Sequence, residues 1–287
     1  MIKKRLGISL ILIGIALFSF PFASMIHKDF KQLHAAENYQ SYVKKNHNDL
    51  KKSRLKVEET QLVTQGVQDI FTQDKESAEQ QVSPYDSLLD TSKVLGRVDI
   101  PSLGQNFDLY LDADYDKIAK GVATLVGTGA PIGVKGKRPI IAGHRFTYND
   151  MSFYFIPDLK NGDKIYVTFL DQTLEYEVYH KEIINEYDTA KLNPIKDQDV
   201  ITLMTCYNGP EYNERYLVDA RRVEKKTTSD NGKHTATITS LLTQKESKFS
   251  VKLLRLAPYL LVSLGLLSFV FFSRKLYQLS NKNGSQN

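Results

Sequence analysis

Cysteine occurs once in the 287 residues, as Cys206, and tryptophan does not occur at all. One cysteine excludes a disulfide within the chain, so stability has to come from packing. The formal net charge of +5 is modest, and no basic patch is interleaved with aromatic residues, which argues against a nucleic-acid partner. No internal repeat is present, which sets repeat architectures aside. Charge itself is missing from two stretches, Leu6 to Ile26 and Leu256 to Ser273.

Those two runs organise the chain. At about 1.5 Å per residue, Leu6 to Ile26 can cross a hydrocarbon core of roughly 30 Å. Lys3, Lys4 and Arg5 precede the first run, and Arg274 and Lys275 follow the second. The positive-inside rule then puts both termini in the cytoplasm and residues 27–255 outside the cell. A cleaved signal peptide is the other reading of residues 1–26, but Phe22-Ala23-Ser24 is a poor cleavage site. The basic flank of the second run reads as a stop-transfer signal. Pro258 is tolerable in its first turn, and Ser263 and Gly265 offer a small-residue packing face.

Residues 28–75 are polar, with apolar positions at helical spacing. Phe30, Leu33, Tyr39, Tyr42 and Val43 form one set, and Leu62, Val63, Val67, Ile70 and Phe71 a cleaner one. They predict one or two amphipathic helices above the membrane, an arm packing one face on the domain. From Val94 the composition changes to short alternating strands: Val94 to Pro101, Phe107 to Leu111, Arg138 to Ala142, Lys164 to Leu170, Leu174 to Ile184, Val200 to Cys206 and Arg215 to Val223. Tyr115 to Lys120 is the one helix expected among them. Turn signals such as Lys160-Asn161-Gly162-Asp163 separate the strands. This pattern predicts a closed barrel or sandwich. Residues 225–255, rich in Lys, Thr and Ser at their start, read as a linker to the membrane segment 256–273 and its cytoplasmic tail, 274–287.

An external thiol without a partner is a candidate nucleophile. If the strand ending at Cys206 pairs with the strand opening at Arg215, the two residues face each other, with Cβ atoms about 5 Å apart. A slip of one residue would turn Arg215 away. A nearby cation favours thiolate and can donate hydrogen bonds to a developing oxyanion. His144 follows the apolar strand Pro139-Ile140-Ile141-Ala142 and Gly143, and an imidazole can give and take a proton near neutral pH. His27, His34 and His47 lie in the arm, His234 in the linker and His180 within a strand. Each residue taken singly also has an ordinary reading: a buried thiol, a polar cap, a surface charge.

Taken together they resemble the sortase family. Thr202-Leu203-Met204-Thr205-Cys206 matches its Thr-Leu-x-Thr-Cys signature, Arg215-Tyr216-Leu217-Val218 its arginine-bearing strand, and Ile141-Ala142-Gly143-His144-Arg145 its histidine motif. The resemblance runs from about Val94 to Val223. It implies an all-β fold with helical additions: an eight-stranded sortase-type β-barrel over residues 94–224, a helical arm over 27–93, and transmembrane helices near both ends. Two membrane segments and a long arm resemble class C, the pilin-polymerising group of Gram-positive cell surfaces. In that likeness Cys206 is the nucleophile on the Thr–Gly bond of a Leu-Pro-x-Thr-Gly-like sorting signal. His144 is acid and then base, Arg215 holds substrate and oxyanion, and Thr205 lines the substrate pocket. The implied partners are pilin or surface proteins bearing that signal, the lysine amine of an acceptor pilin, and the membrane. No metal or other cofactor is implied.

Two departures mark the chain. Class C carries an Asp-Pro-aromatic lid that plugs the site, and the nearest match is Ser83-Pro84-Tyr85, with no carboxylate in first place. A serine cannot form the ionic contact, so the expectation is a looser lid or none; coverage of Cys206 by Tyr85 and substitution by Asp86 as the carboxylate stay open. The family often has proline two residues after the cysteine, where this chain has Asn208. Two other functions stay open at this point: a sortase that anchors proteins to the cell-wall precursor, and a non-catalytic membrane-tethered domain that binds an envelope partner.

Overall fold

Alternating strands between Gly96 and Arg222 close on themselves in a computed structural model, which describes residues 2–60, 67, 69–73, 83–145, 152–224, 235–245 and 247–284. Two helices come first, α1 (Ile2–Lys45) and α2 (His47–Thr60). The barrel follows: β1 (Gly96–Ile100), β2 (Gln105–Tyr110), helix α3 (Tyr115–Lys120), β3 (Val122–Thr124), β4 (Ile140–Ala142), β5 (Lys164–Phe169), β6 (Gln172–Asn185), β7 (Val200–Tyr207) and β8 (Glu214–Arg222). Helices α4 (Ile238–Thr243) and α5 (Phe249–Gly284) end the described chain.

Among the described residues eight strands form the barrel, in the order β1-β2-β3-β4-β7-β8-β6-β5 with β5 returning to β1. The β2–β3 and β4–β7 pairs are parallel and the others antiparallel. The strand β3 escaped the sequence reading. Three residues are too short to show a period of two, and only its pairing with β2 and β4 makes it a strand.

Side chains alternate across β7, which is buried on both faces. Ile201 and Leu203 join Val98, Leu109, Val167 and Val218 in the main core. Met204, on the other face, joins Ala142, Ile184, Leu217 and Ile70 in a second cluster. Cys206 is two residues beyond Met204 and shares that face. The barrel therefore presents the thiol next to a second apolar layer, outside its own filling.

Helix α1 runs without a break from the first apolar stretch into the arm. Ala36 and Tyr39 are buried, and the Tyr39 hydroxyl donates to the carbonyl of Leu95 at 2.6 Å. Phe30 and Tyr42 of the same expected set remain exposed. Both α1 and α5 are long and apolar enough to cross a membrane. They pack closely: a Cβ added at Gly265 would stand 2.5 Å from Ser19 Oγ. Leu10, Leu17, Phe20, Leu264 and Leu267 present an apolar outer surface, the kind of patch a membrane covers.

The segment expected as a linker is bound to the barrel from residue 235 onward. The Ala236 N–H donates to Asp99 at 2.8 Å, and Asn106 donates to the Ala236 carbonyl at 2.7 Å. Thr237 and Ser240 cap α4 reciprocally, a capping box. Leu241 and Val251 are buried in the main core. Lys- and Thr-rich composition suggested a solvated tether, but two apolar side chains are enough to fasten this stretch.

Candidate active site

The β7–β8 register sets Cys206 directly opposite Arg215, as the loop-closing pairing requires. On the other side, β7 pairs in parallel with β4, Met204 level with Ala142. His144, two residues beyond Ala142, and Cys206, two residues beyond Met204, therefore lie at the same end. Gly143 donates its N–H to the Met204 carbonyl at 3.1 Å. Thr205 is fully buried and donates its hydroxyl to the Gly143 carbonyl at 2.9 Å. This corrects the expectation for Thr205: side-chain alternation turns it away from the Cys206 face, and it fastens the histidine segment instead of lining a pocket.

Gly143 is required for room. A Cβ there would come within 2.9 Å of Phe153 and 3.0 Å of Val122. Phe153 in turn donates its N–H to the His144 carbonyl at 2.8 Å, so the histidine's backbone is held from both directions. Asn208 has φ of 60°, a left-handed conformation that asparagine adopts and proline cannot. The departure from the family's proline thus fits the local turn.

Arg215 is the largest fully buried side chain among the described residues. Its Nη1 donates to the carbonyls of Tyr212 and Glu214, at 2.7 and 2.9 Å. Its Nη2 donates to Glu186 Oε2 at 3.0 Å, and its Nε to Asp69 Oδ2 at 2.5 Å. The ring of Phe71 covers the guanidinium at 5.5 Å and lies 5.9 Å from the His144 ring. Asp69 also caps the short helical turn Ile70–Thr72, accepting from the Phe71 N–H at 2.9 Å.

The segment Asp69-Ile70-Phe71 therefore lies where Ser83-Pro84-Tyr85 was expected. Ser83 donates to Asp112. Tyr85 packs in a separate cluster with Leu50, Val57 and Leu95, and its hydroxyl accepts from the Ala130 N–H. Asp86 accepts from Thr91. Ser83, Pro84 and Tyr85 are thus an anchor downstream of the covering segment. The sequence held the signal: Asp69-Ile70-Phe71 has the carboxylate and the aromatic in the right order, with Ile70 in place of proline. Its apolar pair continues the helical spacing of the arm, whereas α2 ends at Thr60 and Ile70 starts a 3₁₀ turn. Leu62 and Val63 of that set lie outside the described residues.

Burial sets the state of the thiol. Cys206 is pushed up to about 11, first by loss of water and further by the carboxylates of Asp69 and Glu186, with Arg215 opposing. Asp69 is raised as well, because burial outweighs its bonds to Arg215 and to the Phe71 N–H. In this arrangement the thiol is protonated at neutral pH. An arginine alone does not make a thiolate when two carboxylates share it.

For metal binding, His180, Glu182 and Asp219 bring potential ligand atoms within 4.8 Å of one another. Asp219 already accepts from Arg138 and Thr202, both at 2.7 Å, and Lys191 stands 3.6 Å from Glu182. Two cations beside the group oppose a third.

A closed eight-stranded barrel with cysteine, histidine and arginine brought to one end is a sortase-type fold. The sortase domain family matches residues 98–223. The chain is 29% identical over 233 residues to sortase A of Listeria monocytogenes, across 79% of this chain and 95% of that protein. Sortase C of Streptococcus pneumoniae superposes with a TM-score of 0.61 at 25% identity, covering 67% of this chain and 97% of that one. Sortase C-1 of Actinomyces oris superposes at 0.56 with 27% identity, covering 62% and 99%. Residues 98–223 are thus a sortase domain, and the structural likenesses of the chain include pilin-related sortases of class C.

Proposed function

We propose that this chain is a membrane-anchored pilin-polymerising transpeptidase whose nucleophile is Cys206. The observation that carries the reading is the Cys206–Arg215 pairing, with His144 held at the same strand end. Asp69 and Phe71 act as a lid that keeps the site closed, and it must leave before substrate enters. Cys206 then gives its proton to His144 and attacks the Thr–Gly carbonyl of a Leu-Pro-x-Thr-Gly-like sorting signal, forming the C–S bond as Arg215 stabilises the oxyanion. His144 protonates the departing glycine amine and a thioester remains. A lysine amine of the next pilin gives its proton to His144, attacks the thioester, and releases the thiol as the amide forms. The barrel works outside the cell, with both termini in the cytoplasm.

Anchoring to the cell-wall precursor is the second reading, favoured by the likeness to a sortase A. It shares every step but the acceptor. The test is to incubate the full-length protein with a Leu-Pro-x-Thr-Gly peptide and supply either pilin or a cell-wall precursor amine. A pilin conjugate that disappears in Cys206→Ala supports the polymerase. A conjugate with the precursor alone supports the anchor. Activity or phenotype unchanged in Cys206→Ala would make the domain a non-catalytic envelope binder.

A further inference from the structure

The acceptors of Arg215 divide by where they are attached. Asp69, on Nε, belongs to the covering segment and is 146 residues away in sequence. Glu186, on Nη2, and the carbonyls of Tyr212 and Glu214, on Nη1, belong to the barrel. Departure of the segment removes the first and leaves the others in place.

Glu186 is held independently of the lid. It follows directly on β6, whose last residues Ile184 and Asn185 pair with Arg215 and Glu214. Its own N–H donates to the Asn213 carbonyl at 3.0 Å. The backbone that positions Glu186 is therefore tied to the strand that carries Arg215. Its side chain is 19% exposed, so the carboxylate sits at the rim of the site while the guanidinium lies within.

We propose that Glu186 is a positioning residue for Arg215, fixing the guanidinium plane once the lid has left so that Nε–H is the donor turned to the substrate carbonyl. This rests on the transpeptidase reading above. Two carbonyls on Nη1 leave the group free to pivot about that nitrogen, and an acceptor on Nη2 stops the pivot. Glu186 also supplies the counter-charge a buried guanidinium needs when Asp69 is gone. The arrangement has a cost, because the same carboxylate opposes thiolate formation at Cys206. Among the described residues, Arg215 of β8, Asp69 of the lid and Glu186 at the end of β6 are the charged groups that act on that thiol, and His144 stands at the same strand end, beyond β4.

The experiment uses the full-length protein in detergent, with Asp69→Ala throughout so that lid binding does not confuse the result. Thioester formation on Cys206 with a Leu-Pro-x-Thr-Gly peptide is followed against pH and peptide concentration. Adding Glu186→Ala is expected to slow acylation about 10- to 100-fold, the usual scale for misplacing a group by an ångström. Half-saturating peptide should stay within about threefold, since the loss falls on the transition state. Glu186→Gln keeps an acceptor oxygen and should recover most of the rate, while moving the acid limb of the pH profile to lower pH. Equal rates with and without Glu186→Ala, or an acid limb unmoved by Glu186→Gln, would overturn the proposal. The second result decides even if the alanine variant does not fold. Absence of any thioester in Asp69→Ala alone would instead refute the transpeptidase reading, and this inference with it.

Discussion

Asp69 and Arg215 meet through a 2.5 Å carboxylate–guanidinium contact in which the side chains are 2% and 1% exposed. A buried pair of this kind is weak as a source of net stability and costly to break from one side. It suits a latch, since the arginine has Glu186 to fall back on and the aspartate has no second cation among its named partners.

Asp69→Ala with Phe71→Ala should expose Cys206. Water returns to the thiol and one of the two opposing carboxylates is gone, so its pKa falls from about 11. Each unit of that fall raises the thiolate fraction about tenfold at neutral pH. Iodoacetamide alkylation of Cys206, followed by intact mass, should be faster than in the wild type by at least that factor. Equal rates would mean the segment does not shield the thiol.

Arg215→Lys should not substitute. A lysine offers a point charge with no planar fork, so it cannot serve Asp69, Glu186 and two carbonyls together. Acyl transfer is expected to drop by about 10²-fold or more, the scale for losing an oxyanion donor. Turnover of a sorting-signal peptide by a lid-released background checks it.

Thr205→Val should act through His144. It leaves the Gly143 carbonyl without its donor in a buried place, a loss of about 1–3 kcal/mol. Activity should fall together with stability, because the lost bond ties the histidine segment to β7. Chemical denaturation and peptide cleavage on the same sample separate this from a pocket role, which would leave stability unchanged.

Burial raises Asp112 to about 6 from its ordinary 3.8. The folded protein thus binds a proton more readily than the unfolded chain, and the related stability is fully present below pH 3.8. It is lost as pH rises through about 6. Asp112→Asn removes that dependence while keeping an acceptor oxygen for Ser83. Unfolding free energies of the two proteins should converge below about pH 4 and diverge in favour of the variant towards pH 7. Parallel curves would contradict the assignment.

The barrel was legible because its strands are long enough to alternate, and β7 and β8 carry their own register in the loop between Cys206 and Arg215. The three-residue β3 was not, since its identity lies in its neighbours. The covering segment was missed for a related reason. Ile70 and Phe71 continue an apolar spacing that fits a helix, and only the tertiary contacts of Phe71 with Arg215 and His144 place the segment over the site. Composition misread residues 235–255 in the opposite sense. Their polar character hid Leu241 and Val251, which bind them to the core.

In the proposed reading Cys206 is a nucleophile held dormant by Asp69 and Phe71. The most direct measurement is the rate at which a Leu-Pro-x-Thr-Gly peptide forms a thioester on Cys206, in the full-length wild type and in Asp69→Ala with Phe71→Ala. A thioester that forms faster in the variant, and is absent when Cys206 is also replaced by Ala, is the predicted result. No thioester in either protein, or equal rates in both, would contradict the account.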